Sequence, residues 1–247
     1  MANQYLCEEL GFLAVGEVAV VTGAEARHAV TVSRLAAGET VRVGNGQGVV
    51  ASGVVTQVAP AEFRFEVSAL EVTERPVPAI WLAQALAKGD RDELAIQAAT
   101  ELGVDGVIPW AAARSISRWE GAKVAKGQER WSAIVREASK QSVRAWLPEV
   151  APLVTTKQLA SLAATAHVIV LDPEGQLPLT LARTDSEESD DRDIVLVVGP
   201  EGGIAPAELD ALYSAGAIGA RLGDTILRTS TAGPAAIAVL SAKLGRW

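Results

Sequence analysis

The chain has 247 residues, 49% of them hydrophobic and 21% charged, which is the composition of a globular protein with one large domain or two unequal ones. No apolar run has the length of a membrane span, and the N-terminus lacks a basic start followed by an apolar stretch, so we expect a cytoplasmic protein. One cysteine excludes an internal disulfide, and with only two histidines there is no zinc-type ligand set, so we expect chemistry without a metal.

Short β-branched and aromatic runs dominate the first seventy residues and predict a small β-barrel domain over residues 1–72. A tight hairpin is indicated at Asn45-Gly46, because both residue types accept positive φ. One short helix is predicted over Glu25–Leu35. The predicted strands are Val18–Val21, Val41–Val43, Val49–Val58 and Phe63–Val67.

Two prolines within residues 73–78 predict a linker, and the pattern changes after it. Apolar strands then alternate with helical stretches, which predicts an α/β domain over residues 80–247 with a mostly parallel sheet. Asp90 with Glu93 predicts a helix start and Gly103 its end, while Arg183–Asp193 is predicted to be an acidic loop. The predicted strands are Ile80–Leu86, Val104–Trp110, His167–Leu171, Ile194–Val198 and Ala220–Leu222.

A basic helix is predicted over Glu129–Arg144, ended by Pro148. Its apolar stripe contains Trp131, Ile134, Val135 and Ala138, and its opposite face carries Arg130, Arg136, Lys140 and Arg144. Residues 107–150 hold eight basic and four acidic side chains, although the whole chain has a net charge of -8. This face therefore predicts either an RNA-binding surface or an ordinary solvated helix face.

The strand Ile194–Val198 runs into the sequence Gly199-Pro200-Glu201-Gly202-Gly203, which indicates a glycine turn that a ligand can approach closely. The alternative is a tight strand-to-helix turn without a ligand. A phosphate is disfavoured, because the turn lacks the lysine of a phosphate-binding loop and carries Glu201. A nucleoside with positive charge and no phosphate, such as S-adenosylmethionine, suits this turn better.

A second turn covers residues 222–231, where a short strand meets an apolar loop before the last predicted helix. Such a loop can hold a flat base by backbone hydrogen bonds and aliphatic contacts. Taken alone, it is equally well an ordinary strand–loop–helix junction.

The paired segments GPEGGIAPAEL and RLGDTILRTSTA resemble the C-terminal motifs of the 16S ribosomal RNA uridine-N3 methyltransferases. Similar agreement is found in residues 28–34, in the GNGQG hairpin, in KGDRDELAIQAATELGVDGVIPW and in RWSAIVREASKQSVRAWLPEV. The resemblance implies a PUA-like N-terminal barrel and a SPOUT domain with a C-terminal trefoil knot. It further implies a homodimer that uses S-adenosylmethionine to methylate N3 of a uridine in small-subunit ribosomal RNA, releasing S-adenosylhomocysteine.

The resemblance also implies site residues. Gln141 and Arg144 would face the target uridine, and Arg34 would contact RNA together with the basic helix residues Arg136, Lys140 and Arg144. The cofactor pocket would be lined by Leu171, Gly199, Glu201, Gly202, Gly203, Leu222, Gly223, Ile226, Leu227 and Arg228.

Three positions depart from the family pattern. Ser230 stands where a glutamate is usual, Ala205 replaces a helix-capping Ser or Thr, and Gln4 replaces a basic residue before Tyr5. No general base for the uridine N3 proton is evident. We therefore expect a fixed cation to stabilise the uridine anion, with Arg228 as the first candidate and Arg144 as the second.

Two rival interpretations remain open from the sequence. One is a SPOUT methyltransferase for transfer RNA or for another ribosomal position, and the other is an RNA-binding protein without catalysis. Ser230 and the net charge of -8 favour the second rival. Trp119 is predicted either to stack on a base or to be buried in the core or at an interface.

Overall fold

The computed structural model describes residues 4–11, 13–182 and 191–247. Most of the predicted acidic loop, residues 183–190, lies outside the described residues. By its contacts the chain forms two compact units, one of Met1–Arg75 with Ser139–Leu147 and the other of Pro76–Ala138 with Pro148–Trp247. The segment 139–147, which the sequence places within the second predicted domain, thus packs with the first unit.

The first unit is a five-stranded sheet in the order β1-β3-β4-β5-β2. β1 lies parallel to β3, and the other pairs are antiparallel. Phe63, Phe65 and Val67 alternate with exposed residues and form its core, as the period of two predicts. This mixed sheet, with β1 and β2 at its edges, forms the half-barrel of the predicted small barrel domain. The strands are β1 (Gln4–Leu6), β2 (Val18–Thr22), β3 (Thr40–Gly44), β4 (Val49–Ala59) and β5 (Glu62–Val72).

Two local predictions in this unit need correction. The hairpin turn spans four residues, because the Asn45 side chain accepts hydrogen bonds from the backbone of Gln47 and Val49 at 2.7 and 3.0 Å. Gly46 and Gly48 supply the positive φ angles, and Asn45 does not. The predicted helix Glu25–Leu35 is instead α1 (Gly23–Arg27) followed by a π-helical turn over His28–Val32.

Residues 139–147 are held to the rest of the first unit by hydrogen bonds of their C-terminal half. The Gln4 side-chain amide donates to the Arg144 carbonyl at 2.8 Å. The Leu147 N–H donates to the Gly46 carbonyl at 2.9 Å, and the Trp146 indole donates to the Thr73 carbonyl at 2.8 Å. The GNGQG turn and the start of the linker are thus anchored by this segment.

The second unit contains a seven-stranded sheet in the order β10-β12-β9-β11-β6-β7-β8, in which every pair is parallel. Its central strands are continuous apolar runs that are buried on both faces, which confirms the predicted α/β domain. The strands are β6 (Ile80–Ala85), β7 (Gly106–Trp110), β8 (Glu149–Val150), β9 (His167–Leu171), β10 (Leu177–Pro178), β11 (Ile194–Val198) and β12 (Ile218–Arg221).

Five further helices accompany this sheet. α2 begins and ends where predicted, although Asp90 makes no side-chain cap and Asp92 accepts the N–H groups of Ala87 and Glu93 instead. Within the described ranges, no helix has the length and apolar character needed to cross a membrane. The helices are α2 (Arg91–Glu101), α3 (Ala122–Gln141), α4 (Thr156–Ser161), α5 (Pro206–Ser214) and α6 (Thr229–Lys243).

The basic helix α3 differs from its prediction at both ends. It begins at Ala122 and ends at Gln141, so Pro148 does not end it. Val143 adopts a left-handed φ of 57°, and the Arg144 N–H returns to the Ser139 carbonyl at 2.9 Å. Arg144 therefore lies beyond the helix and not on its predicted basic face. The predicted apolar stripe is confirmed, since the side chains Trp131, Val135 and Ala138 are buried.

Candidate functional site

Three neighbouring strands of the second unit end at the same edge of the parallel sheet. β9 lies between β11 and β12, and the three strands end at Leu171, Val198 and Arg221. Leu171 is the last residue of β9, and the segments that follow β11 and β12 contain the other nine predicted cofactor residues. Ligands of open parallel sheets bind at the carboxyl ends of the strands, so this edge is the candidate site.

The glycine turn after β11 has the conformation that its sequence predicts. Gly203 has φ of 71°, and its N–H donates to the Pro200 carbonyl at 2.9 Å. A Cβ at Gly199 would lie 2.6 Å from Ile204 Cγ1, so only glycine fits there. Beside Gly203 the nearest atom to such a Cβ is Arg114 Nη1 at 3.9 Å, which leaves room for a ligand to approach the backbone.

The loop after β12 leaves its backbone donors unpaired. Within the described part of the chain, the N–H groups of Gly223–Leu227 donate no hydrogen bond. Gly223 has φ of 129° with open space beside it, and Ile226 is 81% exposed. Unpaired N–H groups next to aliphatic side chains are suited to the edge and the face of a flat base. The residues present therefore fit a nucleoside ligand.

Arg228 follows this loop and stands at the N-terminal end of α6. Its backbone is extended, with φ of -65° and ψ of 152°, and its side chain is exposed. The helix N-terminus adds positive potential to that of the guanidinium. Arg228 thus stands at the edge where the three loops lie, and its catalytic role stays a prediction.

Sequence reasoning missed a buried polar network that joins these loops. The Thr229 hydroxyl donates to the Gly199 carbonyl at 2.8 Å and accepts from the Gln84 side-chain amide at 2.9 Å. Gln84 is fully buried at the end of β6, and Thr229 is 7% exposed. Thr229 therefore ties the N-terminus of α6 to both the glycine turn and the sheet. The only sequence signal for this role of Thr229 is that a residue with a hydroxyl group directly follows Arg228.

We expect Thr229→Val to lower the free energy of unfolding by about 1–3 kcal/mol, because the buried Gln84 amide and the Gly199 carbonyl each lose a partner. Urea denaturation followed by circular dichroism measures this loss. Thr231→Val is the matched control, since Thr231 is an exposed residue of the same helical turn. Equal stabilities of the two variants would contradict a structural role for the Thr229 hydroxyl.

Glu201 has a partner within the protein. Arg91 Nη1 lies 2.8 Å from its carboxylate, and the Lys88 N–H donates to the same oxygen at 3.3 Å. Partial burial raises the pKa of Glu201, but its own N–H, Arg91 and the Lys88 N–H outweigh that effect and hold the pKa below its usual value. The carboxylate thus braces the turn against the start of α2. The sequence suggested that Glu201 pairs with the sulfonium of the cofactor. In the structure its carboxylate is already paired with Arg91.

Asp172, directly after Leu171, fixes the third loop of the site. It accepts the Tyr213 hydroxyl at 2.8 Å and the Glu174 N–H at 3.0 Å. Burial, together with the hydrogen bond and the charge of Asp172, raises the pKa of Tyr213. Tyr213 therefore stays a neutral donor, and sequence reasoning named neither residue.

The predicted RNA-contacting residues belong mostly to the first unit. Lys140 forms an ion pair of 3.1 Å with Glu25, and the two side chains are only 11% and 13% exposed. The Arg144 guanidinium donates to the Trp146 carbonyl at 3.2 Å, while Gln141 and Arg34 are exposed. Because Glu25 already pairs its charge, Lys140 is less suited to a phosphate contact than predicted. Arg136 belongs to the second unit, and its role in RNA binding stays a prediction.

No metal centre is evident in the described ranges, since they bring together no group of three or more His, Cys, Asp or Glu side chains that could hold an ion. The site described above combines backbone N–H groups, aliphatic side chains and Arg228 with polar side chains that fix its loops, among them Thr229, Glu201 and Asp172.

Two family models match the sequence. Residues 73–241 match an RNA methyltransferase domain, and residues 21–67 match an RNA methyltransferase PUA domain. Together the two matches include both glycine-containing turns and most of the first-unit sheet.

Curated relatives and solved structures give the same picture. The sequence is 43% identical to ribosomal RNA small subunit methyltransferase E of Mycobacterium bovis, over 94% of this chain and 89% of that protein. The Bacillus subtilis protein of the same name is 31% identical, over 90% and 88%. A Neisseria gonorrhoeae ribosomal RNA small subunit methyltransferase E, solved bound to S-adenosyl methionine, superposes with a TM-score of 0.85 over 98% of each chain at 28% identity.

Proposed function

The chain belongs to the ribosomal RNA small subunit methyltransferase E family, and on that premise we propose that it transfers the methyl group of S-adenosylmethionine to N3 of a uridine in 16S ribosomal RNA. The observation that carries this proposal is the loop Gly223–Leu227, whose unpaired N–H groups stand at the shared edge of β9, β11 and β12. The similar Neisseria gonorrhoeae protein binds this cofactor.

Different residues of this edge would contact different parts of the cofactor. N–H groups of Gly223–Leu227 would pair with polar atoms of the adenine, and aliphatic side chains such as Leu171 and Ile226 would contact its faces. Gly202 and Gly203 would let the rest of the molecule lie against the backbone, because the nearest atom to a Cβ at Gly203 is Arg114 Nη1, 3.9 Å away. Glu201 would act indirectly, by bracing the turn through Arg91.

When bound, the cofactor supplies a methyl group that its sulfonium already activates for displacement. Methyl transfer to uridine N3 would require loss of the N3 proton, which would leave to solvent. This chain must then stabilise negative charge on the uracil ring. The exposed guanidinium of Arg228, with the N-terminus of α6 behind it, is the cation placed to do so.

The departure at Ser230 fits this electrostatic mechanism. Ser230 lies in the first turn of α6, where the family usually has a carboxylate, and its hydroxyl is too weak a base to remove the N3 proton at neutral pH. Arg228 and Arg144 remain the proposed catalytic cations, and Gln141 the proposed uridine contact. Arg34, Arg136 and Lys140 remain proposed RNA contacts.

We further propose that the protein is a cytoplasmic homodimer, that its substrate is the RNA within the small ribosomal subunit, and that its second domain has a C-terminal trefoil knot. These proposals rest on family membership. Ile226 in the cofactor loop is 81% exposed, which supports the homodimer because a partner chain would cover such an aliphatic side chain. Light scattering at micromolar concentration would give the mass of a dimer, and a fully active monomer would refute this proposal.

The test of the function is a methylation assay with purified small subunits that lack the modification, run beside naked 16S ribosomal RNA. We expect methyl transfer to the subunits, with 3-methyluridine found at a single position by mass spectrometry of nuclease fragments. A methyl group on another nucleotide, or transfer to transfer RNA, would support the first rival interpretation. No binding of millimolar S-adenosylmethionine in calorimetry would support the RNA-binding protein without catalysis.

A further inference from the structure

The second unit contains a cavity of about 330 Å³ that includes none of the predicted cofactor residues. It lies among the loop after β6, the start of α2, the segment before α3, and α3 itself. Its lining includes Lys88, Asp90, Asp92, Glu93, Trp119 and Arg130. The volume is at the lower end of the range for pockets that hold small ligands or single groups of larger ones.

Trp119 forms a flat and well-supported wall of this cavity. A Cβ on Gly127 of α3 would lie 2.3 Å from Trp119 Cε2, so the indole rests directly against the helix backbone at a glycine. The buried Trp131 contacts it edge to face, with ring centroids 5.2 Å apart. Trp119 itself is only half-buried. An aromatic ring that is held rigidly and partly exposed can stack on a planar group with little loss of conformational entropy.

The charges around the cavity select against phosphate. Its lining has three carboxyl groups, on Asp90, Asp92 and Glu93, and two cations. One of these cations, Arg130, is already paired with Glu93 at 2.8 Å. Asp92 is 6% exposed and accepts two backbone N–H groups, so its carboxyl group is fixed in place. A planar ligand that carries hydrogen-bond donors fits this lining best.

The cavity is physically connected to the cofactor turn. Lys88 N–H and Arg91 both donate to the Glu201 carboxylate, so the loop that lines the cavity is bonded to the glycine turn. An RNA segment bound at the cofactor edge would therefore lie close to this loop. When a target base is flipped out of an RNA stack, the bases on either side of it lose a stacking partner and can stack on a protein side chain instead.

We propose that this cavity binds the base of a second, non-target nucleotide, one that carries an exocyclic amino group and stacks on Trp119. The inference rests on the proposed function, because it takes RNA to be the substrate. The amino group would donate to the carboxylates of the lining. A uracil has no exocyclic amino group, so the target uridine is not the expected occupant.

Cytidine and uridine test this inference directly, because they differ mainly in the amino or oxo group at position 4. In the full chain labelled with ¹⁵N-tryptophan, the six tryptophans give six indole N–H signals, and Trp119→Phe identifies one of them. We expect cytidine and adenosine to shift the Trp119 signal at millimolar concentration, and uridine to shift it far less. Trp247→Phe is the matched control, since Trp247 is exposed at the C-terminus and its loss should not change the titration.

Gly127→Ala gives a second measurement, because its methyl group must displace the Trp119 ring. We expect cytidine binding to weaken about tenfold, the scale of losing one stacked base, while S-adenosylmethionine binding stays unchanged in calorimetry.

A Trp119 signal that neither cytidine nor adenosine moves, with normal cofactor binding, would overturn the inference and leave the proposed function intact. Equal shifts with uridine would overturn the selection for an amino group. Cytidine binding without cofactor binding would support the cavity and count against the proposed function.

Discussion

Arg228→Ala should slow single-turnover methyl transfer by about 10²–10³-fold, the scale of losing one preorganised group that stabilises developing charge. Binding of S-adenosylmethionine should change little, because the loop Gly223–Leu227 offers backbone groups that the substitution leaves in place. Rapid-quench measurement of the methylated subunit gives the rate, and calorimetry gives the affinity. The two readouts separate a catalytic role from a binding role.

The pH dependence and two control variants sharpen this test. If no base removes the N3 proton, the rate should rise with pH until the uridine itself ionises. Arg228→Lys should restore the rate only in part, since lysine keeps the charge but loses the planar fork. Arg221→Ala removes an exposed arginine at the end of β12 and should leave the rate unchanged. A rate that is flat from mildly acidic to mildly alkaline pH, or a normal rate for Arg228→Ala, would point to a general base.

Gly203→Val should abolish binding of S-adenosylmethionine while the protein stays folded. Gly203 has φ of 71°, a conformation that costs a non-glycine residue about 1–3 kcal/mol and a β-branched one the most. A valine would relieve this strain by moving the turn, and its side chain would occupy the open space beside the backbone. Calorimetry measures the binding, and circular dichroism verifies the fold.

Gly38→Val is the control for strain alone. Gly38 is a first-unit glycine with φ of 89° and open space around it, so valine there carries a similar conformational cost without touching the cofactor turn. Its affinity for the cofactor should equal that of the unchanged protein. If Gly203→Val also binds normally, with an unchanged spectrum, the glycine turn does not form part of the cofactor site.

Much of this molecule follows from local patterns in the sequence. The apolar run of β11 and the alternation around Phe63 specify their strands, because burial on two faces or on one imposes these patterns on neighbouring residues. Glycine at positions 199 and 203 marks a turn that the structure confirms in detail. The stripe on α3 specifies which side of the helix is buried. Each of these features depends on residues close together in the chain.

The remaining features depend on partners that are distant in sequence. Glu201 is neutralised by Arg91, Gln84 meets Thr229, and Lys140 meets Glu25, over separations of more than a hundred residues. Likewise, the two-residue strands β8 and β10 exist only because a neighbouring strand pairs with them. α3 ends before Arg144 because Val143 turns left-handed, and the Trp119 cavity needs Gly127 on that helix. The hydrophobic periodicity of a sequence does not specify which distant group a side chain will contact. Only the tertiary structure therefore determined these contacts.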